Sequence, residues 1–540
     1  WNKFRAPEYE QMKNECKNSL ISFYNYASSF AKNYTFDAED CARGLKGYSR
    51  ESLGVDMWRS SELKILPACC IQLLSENIQI SVRKLTWAHQ LQLSLNACLG
   101  KHEGLRTVTL TSLLYAIWNR SQDNVRKWEL ENMEDFDTCK PGSSALFAAL
   151  VRNTEAEIAH WLKLKVGGLF HDFHKFFDTL NVCILLGEAI HTRYPPIEMA
   201  MAIQQHTAPR IIKLCNFIGK PNIVHNSIIA GCGQSVAMTR AYMKRGMSDV
   251  NRSDNAVLEE DLVADSKLYV DDCAQTASHR SSAVVFNKLG NSFNKFNKCR
   301  NKLRLGLSEK GVICTNCPKL SKRIQNELWR THNIWYKIKK NTRDLGVDYT
   351  AGKSRPGTLL CKRYGSSSYR CKKIIGLSKI DRGARKLFKA SALPAATWGH
   401  QACGLAPTVM LALERKAAHS TGITPVGRCR FSALVLGYGI HNHPKARMIN
   451  ETITTYFQVV AHLIRQDRFS DLNSAWKIAV NNTTAQVATH RGHLSVVINL
   501  LRRLGWTPVG FNVWRDSFND IWRLDNIKLS PKTLIIALIN

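Results

Sequence analysis

The residues best placed to do chemistry are carboxylates. Asp271 and Asp272 stand side by side in Lys267-Leu268-Tyr269-Val270-Asp271-Asp272-Cys273-Ala274-Gln275-Thr276. Apolar residues precede the acidic pair and a short mixed run follows it, which predicts strand, tight turn, strand, with the carboxylates at the turn. Adjacent aspartates repel each other. That cost is tolerated in open water, or around a divalent cation whose charge dominates the site. A bare Asp-Asp is more often a solvated turn, so a metal reading needs a third carboxylate from elsewhere. Gly167-Gly168-Leu169-Phe170-His171-Asp172 offers one, an apolar strand that delivers Asp172 to its end before a helix expected to begin near Asp178. His171 and His174 lie beside it, but lone histidines among aromatics are more often packed or surface residues than ligands.

Other stretches of the chain could handle an anion such as phosphate. Gly100-Lys101-His102-Glu103-Gly104-Leu105-Arg106 is a basic turn running into a β-rich alternation, and Lys101 and Arg106 would flank a hairpin. A lysine acts there as a point charge and an arginine as a bidentate fork, although a lysine and an arginine near a turn are ordinarily solvated surface. Ile229-Ala230-Gly231-Cys232-Gly233-Gln234 is a glycine loop opening a helix that continues to Arg245. Glycine lets backbone approach a ligand and a helix start favours anions. Leu307-Ser308-Glu309-Lys310 forms a turn into a further strand. From residue 335 to 386 basic residues, among them Lys337, Lys339, Lys340, Arg343, Lys362, Lys372 and Lys373, are interleaved with Trp335, Tyr336, Tyr349, Tyr364 and Tyr369. Cations interleaved with stacking aromatics suit a nucleic-acid backbone and its bases.

Composition points the same way. The chain has 540 residues, 44% of them hydrophobic, and 75 Lys plus Arg against 43 Asp plus Glu give a formal charge of +32. That excess favours a polyanionic partner, nucleic acid ahead of an acidic membrane surface. No apolar run reaches the length of a membrane span and Trp1-Asn2-Lys3-Phe4-Arg5 lacks the apolar core of a signal peptide, so an intracellular, unsecreted protein is expected. Seventeen cysteines without regular spacing read as reduced thiols, and Cys314-Thr315-Asn316-Cys317 as packed thiols rather than a zinc site. The start at Trp1 reads as a piece of a longer open reading frame. Helices are expected over Tyr9 to Phe30, Leu113 to Trp128, Ala283 to Lys298, Leu411 to Lys416, Thr452 to Ile464 and Leu494 to Leu504, the last three in a helical accessory region with a tryptophan-rich close.

Taken in order, these elements resemble a reverse transcriptase, most closely the LINE-type, non-LTR retrotransposon enzymes, including divergent protist ones. Phe170-His171-Asp172-Phe173-His174-Lys175-Phe176-Phe177-Asp178 is similar to the first palm motif of that family, Gly231-Cys232-Gly233-Gln234-Ser235 to its Gly-x-x-Gln-Gly loop, and Tyr269-Val270-Asp271-Asp272 to its YxDD box. Leu307-Ser308-Glu309-Lys310 resembles the later lysine motif, and Asp344-Leu345-Gly346-Val347 the segment leading into the thumb. Ser235 stands where the family has glycine and Phe176 where it has alanine. The resemblance covers roughly residues 47 to 400, and its strength lies in the order of the motifs.

The resemblance implies an α+β right-hand polymerase with a helical leader (1–45), fingers (46–165), a palm with an antiparallel sheet (166–320), a thumb and basic connection (321–400) and a mainly helical C-terminal region (401–540). It implies RNA-directed DNA synthesis on an RNA template and a DNA primer, in the nucleus after cytoplasmic transit. Asp172, Asp271 and Asp272 would hold two Mg²⁺ ions roughly 3.5–4 Å apart, with Mn²⁺ as a substitute. Lys101 and Arg106 would bind the triphosphate, with Gly231 and Gln234 lining the substrate site. Lys310 would protonate the leaving pyrophosphate, Tyr269 would pack under the primer end and Phe177 would block a ribose 2′-hydroxyl. Three other readings stand beside this one: an inert polymerase-fold scaffold that binds nucleic acid, a degenerate retroelement copy, and an RNA-templated RNA polymerase, which Phe177 and the absence of Gly-Asp-Asp disfavour.

Overall fold

The computed structural model describes residues 6–49, 52–100, 105–253, 262–352, 354–423, 426–484, 486–524 and 531–539. The protein mixes α-helices with small, mostly antiparallel sheets. Its chain alternates between two compact units, one made of Trp1–Asp137, Phe173–Arg252 and Asn294–Ser308, the other of Thr138–Asp172, Ser253–Phe293 and Glu309–Asn540. Among the described residues no helix is long and apolar enough to cross a membrane.

In the first unit the N-terminal helix is Ala6–Ala31, as the periodicity predicts. The expected helix Leu113 to Trp128 is instead two, Leu113–Arg120 and Asp123–Glu131. The break falls at Ser121 and Gln122, whose side chains bond back to the carbonyl of Trp118 and compete with the helical ladder. Leu113, Tyr115, Ile117 and Trp118 pack with Trp87 into one core. A four-stranded sheet runs in the order Leu105–Leu110, Ser94–Gly100, Arg210–Leu214, Phe217–Ile218.

In the second unit a five-stranded sheet has the order Asp265–Tyr269, Asp272–His279, Lys165–Asp172, Val312–Thr315, Lys337–Ile338. The central strand Lys165–Asp172 pairs antiparallel on both sides. Alternation gives each face its own cover. Val166 and Phe170 pack with Ala156 and Ala159 of helix Ala145–Trp161 and with Tyr349. On the opposite face Gly167 has no room for a side chain: a Cβ there would lie 2.7 Å from Leu289 of helix Ser282–Lys302. That close approach explains a glycine inside a buried strand.

The C-terminal region is helical over Pro407–Ser420, Pro444–Arg465, Phe469–Asn482 and His493–Arg503, each at least as long as expected from sequence or unforeseen by it. Its tryptophan-rich close is a three-stranded antiparallel sheet, Thr507–Gly510, Val513–Arg515 and Ile521–Arg523. Trp514 pairs directly with Trp522 across it, which aromatic side chains on a pleated surface favour. Nor is this region a mere accessory. Ile453, Tyr456, Trp476, Leu494 and Trp514 share one core with Leu150 and Ile158 of helix Ala145–Trp161. From that same helix the buried Glu157 accepts the backbone N–H of Leu494 at 2.7 Å and of Ser495 at 2.9 Å, satisfying the open N-terminus of helix His493–Arg503. Burial pushes the Glu157 carboxyl up, and its bonds to Ser495 and Leu494 pull it back. Glu157→Ala would strand two buried donors and cost about 2–4 kcal/mol, read as a lower urea midpoint, with Glu157→Gln recovering part of the loss through its remaining carbonyl oxygen.

Candidate active site

The central strand and the acidic hairpin bring two of the predicted aspartates face to face. Asp172, the last residue of its strand, is the ladder partner of Asp272, the first residue of the next. Tyr269 is the partner of Asp272 on the other side and closes a two-residue turn, Val270-Asp271. The turn lies one residue earlier than the acidic pair on which sequence placed it, so Asp271 is in the turn and Asp272 opens the next strand. Val270 has φ 59°, a left-handed conformation that hairpin turns demand at this position and that a β-branched residue resists. Side chains directly opposite on one sheet face have Cβ atoms about 4.5–5.5 Å apart, so like charges here repel. Asp272 keeps a solvent-facing side. Even so, the protein packed around its carboxyl, and then the charges of Asp271, Asp344 and Asp172, push its pKa up to about 6, with Arg343 pulling the other way.

A line of buried hydrogen bonds crosses the opposite face of the sheet. The Tyr336 hydroxyl lies 2.9 Å from His171 Nδ1, His171 Nε2 lies 3.1 Å from Gln275 Oε1, and Gln275 Nε2 donates to Ser266 Oγ at 3.0 Å. Because Gln275 spends its amide N–H on Ser266, the histidine donates from Nε2 and accepts the tyrosine proton at Nδ1. His171 is therefore a packed residue, and His174 is exposed. Tyr336 fits only because residue 311 is glycine; a Cβ there would lie 2.1 Å from the ring.

A second hairpin packs on the carboxylate face. Strands Asn341–Asp344 and Val347–Thr350 join through Leu345 (φ 47°) and Gly346 (φ 82°), a turn with positive φ at both central residues. Asp344 is buried and accepts a bidentate pair from Arg152 of helix Ala145–Trp161, at 2.8 and 2.7 Å. Asp348 is buried too and accepts the N–H groups of Leu359 and Leu360 at the start of helix Thr358–Ser378. The Asp-Leu-Gly-Val string is legible in sequence, but nothing in it pointed to Arg152 or to the field that Asp344 adds at Asp272.

The remaining predicted residues are distributed as follows. Lys310 is exposed in the turn before Val312–Thr315, in the same unit as the three aspartates. Lys101 lies outside the described residues. The hairpin expected around it is present, with Leu99 opposite Arg106 and Gly100 opposite Leu105. Phe177, Gly231 and Gln234 belong to the first unit. The helix near Asp178 begins earlier, at Phe176, so Asp178 lies within its single turn rather than capping it. Phe177 is half-buried against Phe176, and its carbonyl accepts the N–H of Ile228, which ties it to the glycine loop. Gly231 has φ +93° and its missing side chain faces open space, as close ligand approach requires. Gly233 has a different reason: a Cβ would lie 2.8 Å from Asn119. Gln234 is buried at the start of helix Ser235–Asn251; Oε1 accepts the Tyr194 hydroxyl at 3.1 Å, while Nε2 has no hydrogen-bond partner. An unpaired buried donor beside a glycine loop is a place for a ligand acceptor. The basic run divides: Tyr336 and Tyr349 are each 1% exposed and cannot stack on a base, whereas Lys362, Arg370, Lys372, Lys373 and Tyr369 are exposed on helix Thr358–Ser378.

Hard carboxylate oxygens are the donors that Mg²⁺ takes, and here burial and their mutual repulsion raise the pKa of one of them. Among the described residues, no group of three or more His, Cys, Asp or Glu side chains is arranged to hold a metal ion, so Asp172 and Asp272 are paired across the ladder without forming, with Asp271, the three-carboxylate set that the sequence led us to expect. No protein-family model matches the chain, and no curated protein matches its sequence.

Two measurements test this geometry. Arg152→Ala leaves Asp344 buried and unpaired and should cost about 3–5 kcal/mol, whereas Arg152→Met with Asp344→Leu should restore most of it, both read from urea unfolding. For Asp272 the folded-state pKa exceeds the unfolded value of 3.8. Its stabilising contribution is therefore complete below about pH 4 and is lost as pH rises through about 6. In divalent-free buffer Asp272→Asn should melt above wild type near pH 7, and the gap should close near pH 4.

Proposed function

We propose that the chain is an RNA-directed DNA polymerase of the LINE-type, non-LTR kind, with the five-stranded sheet as palm and the exposed basic helix Thr358–Ser378 in the thumb. The observation that carries this reading is the pairing of Asp172 with Asp272 across adjacent antiparallel strands, with Asp271 in the turn between Tyr269 and Asp272. A fold that only needed a hairpin gains nothing from three carboxylates there.

In this reading Asp172, Asp271 and Asp272 hold the divalent cations. When bound, two Mg²⁺ ions supply Lewis-acid activation of the primer 3′-hydroxyl and charge neutralisation at the leaving pyrophosphate. Asp272, whose pKa is raised to about 6, would hold a cation in its deprotonated form, so cation binding there would weaken as pH falls below about 6. Lys101 and Arg106 bind the triphosphate, Gln234 turns its spare N–H toward the substrate, and Lys310 delivers a proton to the pyrophosphate. Phe177 presses against the sugar and excludes a ribose 2′-hydroxyl, so dNTPs are the substrates. RNA template and DNA primer are the partners, and the nucleus the place of action.

Primer extension on an RNA template with dNTPs and Mg²⁺ tests the reading. Wild type should extend the primer, and Asp271→Asn should fall by about 100-fold or more, the scale on which a preorganised charge-stabilising group acts. Equal signals from the two proteins, or none from either, reject it. In the same assay Phe177→Ala should raise rNTP incorporation relative to dNTP; unchanged discrimination removes the steric gate.

A further inference from the structure

Two tryptophans stand out on the surface of the second unit. Trp329 is 50% exposed in the last turn of helix Pro318–His332, and Trp335 is 54% exposed just before the edge strand Lys337–Ile338. Their rings meet at 87° with centroids 6.0 Å apart. Local structure builds this arrangement. Asn333 ends the helix with φ 55°, its N–H donates to the Trp329 carbonyl at 2.9 Å and the N–H of Ile334 to the Leu328 carbonyl at 3.3 Å, a reversal that returns the chain beside its own helix. Beyond it the N–H groups of Lys337 and Lys339 donate to Gly311 and Ile313, which fixes the strand register. Tyr336 is buried with its hydroxyl on His171. In the strand itself Lys337 then faces away from Tyr336, while Trp335 and Lys339 flank the strand and are exposed. Lys337 is the ladder partner of Val312, and Val312 that of Phe170, two residues before Asp172, so the lysine lies on the carboxylate-bearing face.

Lysines on an open sheet edge have a protective use, since they discourage edge-to-edge pairing. Exposed tryptophans beside that edge do the reverse and are costly without an occupant. The surroundings say which occupant. Lys337, Lys339, Lys340 and Arg343 are exposed, and no acidic residue occurs between Glu327 and Asp344. Arg330, Thr331 and Asn333 around the rings are polar and exposed, and Ile338, 40% exposed, adds a single apolar side chain on the strand. A membrane surface would need contiguous apolar residues around the rings; a base needs only a ring face and nearby cations.

We propose that Trp329 and Trp335 form a stacking platform for unpaired bases of a single-stranded nucleic acid whose phosphates run along Lys337, Lys339 and Lys340. The proposal rests on the nucleic-acid part of the polymerase reading and not on catalysis. It is tested by binding of the full chain, without dNTPs or divalent cations, to labelled single-stranded oligo-uridylate, to an abasic strand of equal length and to a duplex. Wild type should bind oligo-uridylate more tightly than the abasic strand. Trp329→Ala with Trp335→Ala should erase that difference, losing about 10-fold on the base-bearing strand and little on the abasic strand or the duplex, while Trp329→Phe with Trp335→Phe retains most of it. Both side chains are exposed, and an unchanged melting temperature confirms that the variants fold. An unchanged affinity, or an equal loss on base-bearing and abasic strands, overturns the proposal. So does loss of binding to vesicles of phosphatidylcholine and phosphatidylserine with strand binding intact, which assigns the surface to a membrane. Because catalysis is not measured, a failed primer-extension assay leaves this result standing.

Discussion

Asp172 and Asp272 repel each other across a hydrogen-bonded ladder, and the sheet that carries them must hold them there. Like charges directly opposite weaken an antiparallel pair by about 0.2–1 kcal/mol, and the left-handed Val270 adds about 1–3 kcal/mol of backbone strain. The opposing interactions lie on the other face, where Tyr336, His171, Gln275 and Ser266 form three buried hydrogen bonds in line. At about 0.5–1.5 kcal/mol each, with Leu169 and Ile313 buried around them, these bonds match the repulsion and exceed it once burial is counted. The sheet tolerates its acidic end because its interior is satisfied.

Helix Ala145–Trp161 secures the carboxylate face. Arg152 points its guanidinium at Asp344 and anchors the second hairpin, which in turn places Asp344 within electrostatic reach of Asp272. Glu157, on the same helix, closes the N-terminus of His493–Arg503. One helix thus connects the acidic sheet to a core built largely from the last hundred residues. The C-terminal region is part of what keeps the carboxylate face rigid, since loosening it exposes the same helix that holds Arg152.

Much of the acidic hairpin was legible in sequence because its signals are local. An apolar run ending in Asp172, and an apolar run, an acidic turn and a mixed run around Asp271-Asp272, each depend on residues a few positions apart; the exact turn, one residue earlier, is set by pairing with the neighbouring strand. The break at Ser121 was missed because hydrophobic periodicity continues through it while two side chains compete for the Trp118 carbonyl. The C-terminal sheet was missed because its tryptophans were read only as the close of a helical region, when their pairing across strands is a tertiary fact. Arg152–Asp344 and Glu157–Leu494 lay beyond reach for the same reason: an ion pair or a cap between distant segments has no periodicity. The basic run shows the opposite error. Tyr336 and Tyr349 look like stacking residues in a string of lysines, and only burial reveals that they face inward.

Register ties these features together. A strand shifted by one residue turns every side chain to the other face. If Lys337–Ile338 slipped by one, Trp335 would be driven against Gly311 and His171, while Tyr336 would be lost to solvent. The Tyr336–His171–Gln275 line forbids the slip, since the hydroxyl has one partner at the right depth and Gly311 leaves room for one ring. The same line fixes Lys165–Asp172 against Asp272–His279, because Gln275 meets His171 only when Asp172 faces Asp272. One buried network therefore sets both the confrontation of the carboxylates and the outward turn of Trp335, and a protein that must present acid and aromatic on one sheet has reason to keep it intact.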